Sequence, residues 1–419
     1  MKMTNIVILY FKNWKYGIIK WYMFKSLFKR GKVLLMGIYL DNSATTKPYQ
    51  EVVDSMVKAL TEDYENPSAA HRMGMKIEKN IKEIRRNIAK TLAAKEKEII
   101  FTSGGTECNN SIIRSCANLN KQRGKHIIST SIEHPSVLNT LEDLEKDGFE
   151  VTYLPVNSEG KICVEDLEKN LREDTILVSV MFVNNEVGSI QPIKEIGNLL
   201  KNRKNKVFFH VDAVQGYGKV DFRPSRYNID FMSVSAHKIH GPKGIGFMYI
   251  KDGINFKPLM TGGGQESNLR SGTENVPGIY GMGAAISKLF SDLNGSIEKM
   301  DSLKNFLKEE ISKNIDGIKV NSPKDGVCHI LNISFEDVRG EVLLHYLEQK
   351  EVYVSTGSAC SSKKKGSHVL NAMGLTPNQI EGAIRFSLSD MNTEEEIFEA
   401  VEILKDSVED LRKIIRIRR

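Results

Sequence analysis

From about Glu98 to Ile250 the chain repeats one alternation, a short run of apolar residues followed by a stretch with helical spacing. The runs are "EIIFT", "HIIST", "VTYLPV", "TILVSVMFV", "KVFFHV", "FMSVSA" and "GIGFMYI". Several are apolar at consecutive positions, the pattern of strands covered on both faces. Between two of them, Ile193, Ile196, Leu199 and Leu200 recur at the spacing that lines one side of a helix. Such a chain is confined to an α/β layer with a mostly parallel sheet. Past the loop-like "PLMTGGGQESNLRSGTENVPG", a helical pattern runs from about Val276 to Ile311. Strands near "HILNISF" and "VYVST" then precede a charged C-terminal helix. The shift predicts a second, smaller domain from about Asn294 to the end.

At 419 residues, 40% hydrophobic and 27% charged, the chain can bury a sizeable core. Its formal charge of +6 points to nucleic acid only until it is divided along the chain. Eight of the 59 basic residues lie in 1–35, which holds no acid, so the remaining 51 face all 53 acidic residues and the rest is −2. No direct nucleic-acid binding is expected. The basic, aromatic segment 1–35 has Met3 to Phe11 as its longest uncharged run, too short to span a bilayer. We expect translation to begin at Met36, with 1–35 as read-through. The alternative is an amphipathic helix on a membrane surface, the one route to membrane contact. Five scattered cysteines, odd in number and with no C-x-x-C pair, give no sign of a disulfide scaffold or a zinc site and fit a reducing cytosol.

Three strand ends carry chemistry. In "FTSGGTECNN" a strand runs through Gly104-Gly105-Thr106 into a helix, where glycines admit an anion and free N–H groups favour its charge. An ordinary Gly-rich turn capped by Thr106 stays open on this stretch alone. "VFFHVDAVQ" delivers Asp212 at the carboxyl end of an apolar strand, as a ligand or as a turn cap. "SVSAHKIHGPKG" delivers Lys238 after Val234, Ser235, Ala236 and His237; a partly desolvated lysine has a lowered pKa and forms Schiff bases. An anion cradle, a strand-end Asp and a strand-end Lys in that order suggest pyridoxal 5'-phosphate: phosphate at the helix start, ring nitrogen on Asp212, aldehyde on Lys238. In "STGSACSSKKKG", Cys360 stands among residues suited to a mobile, wet loop rather than to a packed interior.

The motifs "YLDNSATT", "SGGTECNN", "EHPSV", "VNNEVG", "HVDAVQ", "SAHKIHGPKG", "RSGTENV", "STGSACSS" and "IRFSLS" stand in an order that resembles the cysteine desulfurases of the NifS/IscS type, over about Ile38 to Leu411. The resemblance implies the fold-type-I pyridoxal-phosphate architecture. A large domain over 47–293 would carry the cofactor, a small α+β domain of 36–46 and 294–419 would carry the cysteine loop, and a homodimer would share its sites. It assigns the cofactor bond to Lys238 and the ring nitrogen to Asp212. It gives the phosphate to Gly105, Thr106, Ser235 and His237, with Thr273 reaching the phosphate of the other subunit. Gln215 would bond the ring hydroxyl, Asn185 would sit beside it, and His134 would lie over the ring. Arg385, with Asn185, would hold the substrate carboxylate. Bland readings stand beside these: His134 as a helix start, Asn185 as a turn former, Arg385 paired with a surface acid.

The activity implied is removal of sulfur from L-cysteine, giving L-alanine and a persulfide on Cys360, with His134 and Lys238 as the other catalytic groups. No metal is expected, apart from Cys360 as a transient iron–sulfur ligand through its persulfide. The loop's Ser, Gly and Ala let the thiol travel, and Lys363, Lys364 and Lys365 are a docking patch or a solvated charge run. Cys108, Cys116, Cys163 and Cys328 take structural readings, Cys116 as core. Two departures from the family pattern are "KKKG" in place of a Glu-Pro stretch and an end at "LRKIIRIRR" without a longer tail. They leave a tRNA-thiolating enzyme beside an iron–sulfur scaffold as sulfur acceptor. An aminotransferase or selenocysteine lyase on the same fold is the alternative, and the cytoplasm is the expected compartment.

Overall fold

The computed structural model describes residues 37–356 and 366–418. Residues Ile38–Arg419 form one compact unit. Its strands are β1 (Ile38–Tyr39), β2 (Ile99–Thr102), β3 (His126–Thr130), β4 (Glu150–Leu154), β5 (Thr175–Met181), β6 (Phe208–Asp212), β7 (Phe231–Ser235), β8 (Gly246–Ile250), β9 (Ile318–Val320), β10 (Ile330–Phe335), β11 (Val352–Tyr353) and β12 (Ala383–Ser387). All seven apolar runs become strands of one sheet, in the order β2-β8-β7-β6-β5-β3-β4. The pairs β4–β3, β3–β5, β5–β6 and β6–β7 are parallel, and only β8 runs against its neighbours. The expected α/β class with a mostly parallel mixed sheet is what forms.

β5 shows why consecutive apolar residues were needed. All seven of its residues are buried. Val178 and Val180 join the cluster that holds Phe209, Val211 and Phe247, while Ile176 and Leu177 join another with Ile127 and Leu141. A strand at the centre of a sheet has no wet face, so its side chains are apolar or, like Thr175 and Ser179, hydrogen-bonded inside the core; each apolar burial stabilises by about 1.5–3 kcal/mol.

A separate cluster joins Ile38 and Leu40 to Leu331, Ile333, Ile384, Phe386 and Leu404. It lies around the three-stranded antiparallel sheet β12-β10-β9, with β1 paired in parallel to β11 beside it. The helical pattern read over Val276–Ile311 is two helices, Val276–Ser291 and Leu293–Asn314. Asp292 divides them: its backbone leaves the helix at φ −149° and ψ 61°, and its carboxylate accepts from Gly295 N at 3.1 Å as the cap of the second.

This topology fixes where a site can be. Because β8 is antiparallel to both β2 and β7, β2 points the same way as β7, β6, β5 and β3. With β4 parallel to β3, six strands therefore release their chains at one edge, the place where open α/β sheets bind ligands.

Candidate active site

The segment leaving β2 turns at Gly104, whose φ of +145° favours glycine, and enters the helix Gly105–Asn120. A Cβ on Gly105 would stand 2.6 Å from Val214 Cγ2. The helix start is thus a backbone cradle that only glycine can form, with unpaired N–H groups facing it. Ser235, at the end of β7, is buried, and a Cβ at Gly104 would lie 3.4 Å from its Oγ. His237 lies beside it; burial, then Lys238, pushes its pKa down to about 4, so it is neutral and donates through one ring nitrogen.

β6 delivers Asp212, buried. Asn109 Nδ2 donates to its Oδ2 at 2.7 Å and Val214 N to its Oδ1 at 3.0 Å. A carboxylate has about four lone-pair directions, so two remain for a further donor. The same Asn109 nitrogen donates to Ser136 Oγ at 2.8 Å. His134, after β3, caps the helix Pro135–Lys146: its Nδ1 accepts from Ser136 N at 3.1 Å. That bond leaves the ring proton on Nε2. Burial holds His134 below the ordinary histidine pKa, against the raising effect of Asp212. His134 thus caps a helix start and also lines the cavity described below.

Lys238 Nζ donates to Ser43 O at 2.5 Å and Ala44 O at 2.8 Å. Gln215 Nε2 donates to the same Ser43 carbonyl at 2.9 Å. The turn from "YLDNSATT" thus holds the lysine amine at the end of β7.

Across from it, Arg385 on β12 is fixed from two directions: Nη2 to Asp41 Oδ1 at 2.6 Å and Nη1 to the Asn185 carbonyl at 3.0 Å. Its Nε is buried with no partner among the described residues. Glu186, next to Asn185, is buried and accepts from Ser367 Oγ; burial pushes its carboxyl up to about 7. Glu133 is also buried, and its Oε1 accepts from Thr130 Oγ1 at 2.7 Å and Met181 N at 2.9 Å. Burial, against those two bonds, pushes Glu133 up to about 8.

Glu133 aside, these side chains line one cavity of about 320 Å³. It gathers Gly105, Thr106, His134, Asn185, Asp212, Gln215, Ser235, His237, Lys238 and Arg385. Thr273 is not among them; it lines a separate depression of about 210 Å³ with Ser103 and Gly272. Cys360 and Lys363 to Lys365 lie outside the described residues, although Ser355 and Ser367, on either side of that stretch, line the cavity. The sequence reading left out Asn109, Asp41 and Glu186. All three stand inside motifs it quoted, but their partners lie more than a hundred positions away for Asn109 and Asp41 and 181 away for Glu186. Cys108 and Cys116 are buried, with thiols pushed up to about 12 by that burial; Cys163 is exposed and donates to Glu165 at 2.7 Å. Among the described residues no group of His, Cys, Asp and Glu is arranged to hold a metal, and no helix is long and apolar enough to cross a membrane.

The model of the class-V aminotransferases matches residues 38–399. The chain belongs to the class-V aminotransferase family. Within it, cysteine desulfurase IscS of Methanosarcina thermophila is 44% identical over 379 residues, 90% of this chain and 93% of that protein. A solved NifS-like protein superposes with a TM-score of 0.85 at 39% identity, over 89% of this chain and all of that one. A structure described as SspA in complex with cysteine gives 0.76 at 35%, over 85% of this chain and 99% of that one. Class-V members work with pyridoxal phosphate, and the residues here fit it. Gly104 has a backbone conformation that favours glycine and Gly105 packs too closely on Val214 for a side chain, the buried Asp212 has acceptor capacity to spare, and Lys238 stands in the same cavity.

Proposed function

We propose that this chain is a cysteine desulfurase. It removes sulfur from L-cysteine with pyridoxal phosphate and passes it through Cys360 to an acceptor. The observation that carries the reading is the meeting in one cavity of Lys238, Asp212, His134 and Arg385, with residues flanking the Cys360 stretch at its wall. Gly105, Thr106, Ser235 and His237 would hold the phosphate, Asp212 the ring nitrogen, Gln215 the ring hydroxyl, and Lys238 the aldehyde carbon. Bound there, the cofactor supplies a sink for electrons released at the substrate's Cα.

The side chains divide the remaining work. Arg385, with the amide of Asn185 beside it, takes the substrate carboxylate through paired donors and fixes which Cα bond faces Lys238. Lys238 Nζ accepts the Cα proton, after leaving the carbonyls of Ser43 and Ala44. His134, its Nδ1 engaged, would have its Nε2 proton to offer to groups bound in the cavity. The Cys360 thiolate then attacks the substrate sulfur: an S–S bond forms, the C–S bond breaks, and its electron pair stays with Cβ, which takes a proton, while return of the proton held by Lys238 to Cα completes alanine. A free thiol with a pKa of about 8.5 is only a few per cent thiolate at neutral pH, so this step gains from alkaline conditions.

A homodimer in which Thr273 completes the neighbouring subunit's phosphate site is part of this reading, as are a cytoplasmic setting and an iron–sulfur scaffold or tRNA-thiolating enzyme as acceptor. The test is direct. Incubated with L-cysteine and a reductant, the protein should release sulfide and alanine in equal amounts, and Cys360→Ala should keep the yellow cofactor colour while losing sulfide release. Alanine that forms only with an added keto acid would make it an aminotransferase instead, and turnover restricted to selenocysteine would make it a selenocysteine lyase.

A further inference from the structure

The Arg385 guanidinium already has a carboxylate on it. Asp41 Oδ1 sits 2.6 Å from Nη2, and both residues line the cavity. The two partners differ in access to water: the Arg385 side chain is 6% exposed and that of Asp41 22%. Arg385 is also held by the Asn185 carbonyl, and the Asp41 backbone bridges to Ser387 of the same strand β12, so the two side chains are kept facing each other while Asp41 keeps the greater access to water. Asp41 sits in a short turn whose next carbonyls, Ser43 and Ala44, hold Lys238.

An amino-acid carboxylate entering this cavity meets a guanidinium whose charge is already neutralised at hydrogen-bonding distance. It has to take that donor over or bind beside a second anion, and each route weakens its binding. We propose that Asp41 is a built-in competitor for the substrate's α-carboxylate, which lowers the affinity of the Arg385 site for carboxylates in general. Simple acids that offer nothing else then bind poorly, while an amino acid held also through its amine succeeds. Asp41 is in this way a specificity-determining residue. The inference rests on the reading of Arg385 as the carboxylate clamp. The opposite role, Asp41 orienting Arg385 for the substrate, makes a prediction of opposite sign.

The experiment uses the full-length, pyridoxal-phosphate-loaded protein and two probes: L-cysteine, read as KM, and propionate, read as Kd by calorimetry. Asp41→Asn keeps the shape and removes the charge. It should bind propionate roughly tenfold more tightly and lower the KM for L-cysteine in the same direction, the scale of one charge-assisted hydrogen bond. Asp41→Ser should act alike, so one poorly folding variant does not decide the result. Unchanged or weaker affinity for either probe in a folded variant overturns the proposal. Arg385→Lys separates the two readings. If it leaves propionate binding untouched, the clamp assignment fails; if it abolishes binding while Asp41→Asn brings no gain, only the competitor is lost.

Discussion

The two ends of the cavity are built on different principles. At the cofactor end each group leaves the carboxyl edge of a parallel strand: Gly105 after β2, His134 after β3, Asp212 on β6 and Lys238 after β7. Strand order alone brings them together. At the substrate end, Arg385 comes from the antiparallel sheet, and residues 344 and 200 positions away in the chain, Asp41 and Asn185, hold it. Here side-chain bonds between distant segments make the site. A sheet edge fixes a frame that tolerates loss of single bonds, whereas a site assembled by ion pairs changes its affinity whenever one partner is altered.

The sharpest way to break this comparison is at Asp212 and the residue that steadies it. Asp212→Ala should lower kcat by about a hundredfold or more, because it removes the charge aimed at the ring nitrogen. Asn109→Ala should leave the frame standing and weaken cofactor retention by only about tenfold, the scale of one hydrogen bond to a charged group. Steady-state turnover of L-cysteine reads the first, dialysis against buffer followed by the visible absorbance of the retained cofactor reads the second, and both measurements are made on both variants. Equal losses in the two variants would mean that the strand frame does not hold Asp212 without its amide partner.

A smaller effect concerns two buried acids, Glu133 and Glu186. Burial raises Glu133 to about 8 and Glu186 to about 7, whereas unfolded glutamates titrate near ~4.3. Between those values the folded chain binds more protons than the unfolded one. The stability tied to these groups is complete below the window and is lost as pH rises through it. Buried His210, lowered to about 3, works in the other direction, and its contribution fades as pH falls below ~6.5. The melting temperature should therefore decline between pH 6 and 8, by about 2–4 °C for each kcal/mol lost, and Glu133→Gln should flatten that decline. An unaltered slope in the variant would show that Glu133 is ionised in the folded protein.

What the sequence displayed and what it concealed follow the same division. The seven strands were legible because burial on both faces demands consecutive apolar residues, and β5 cannot be mistaken for anything else. Gly104, Asp212 and Lys238 were legible because each directly follows or ends such a run. Asn109 stood in the quoted "SGGTECNN", yet its bond to Asp212 spans 103 positions and leaves no local mark. Asp41 and Glu186 were concealed for the same reason, since an ion pair between remote segments has no periodicity. The break at Asp292 was hidden by the apolar spacing that continues through it, because a single aspartate is equally at home on a helix surface or as a cap.

The central claim is that this cavity holds pyridoxal phosphate through Lys238. Borohydride reduction of the yellow protein, followed by digestion and mass spectrometry, tests it most directly. The account predicts the reduced cofactor on the peptide containing Lys238 and its loss in Lys238→Ala. A cofactor fixed to any other lysine, or a protein that takes up none when supplied with it, would contradict the account.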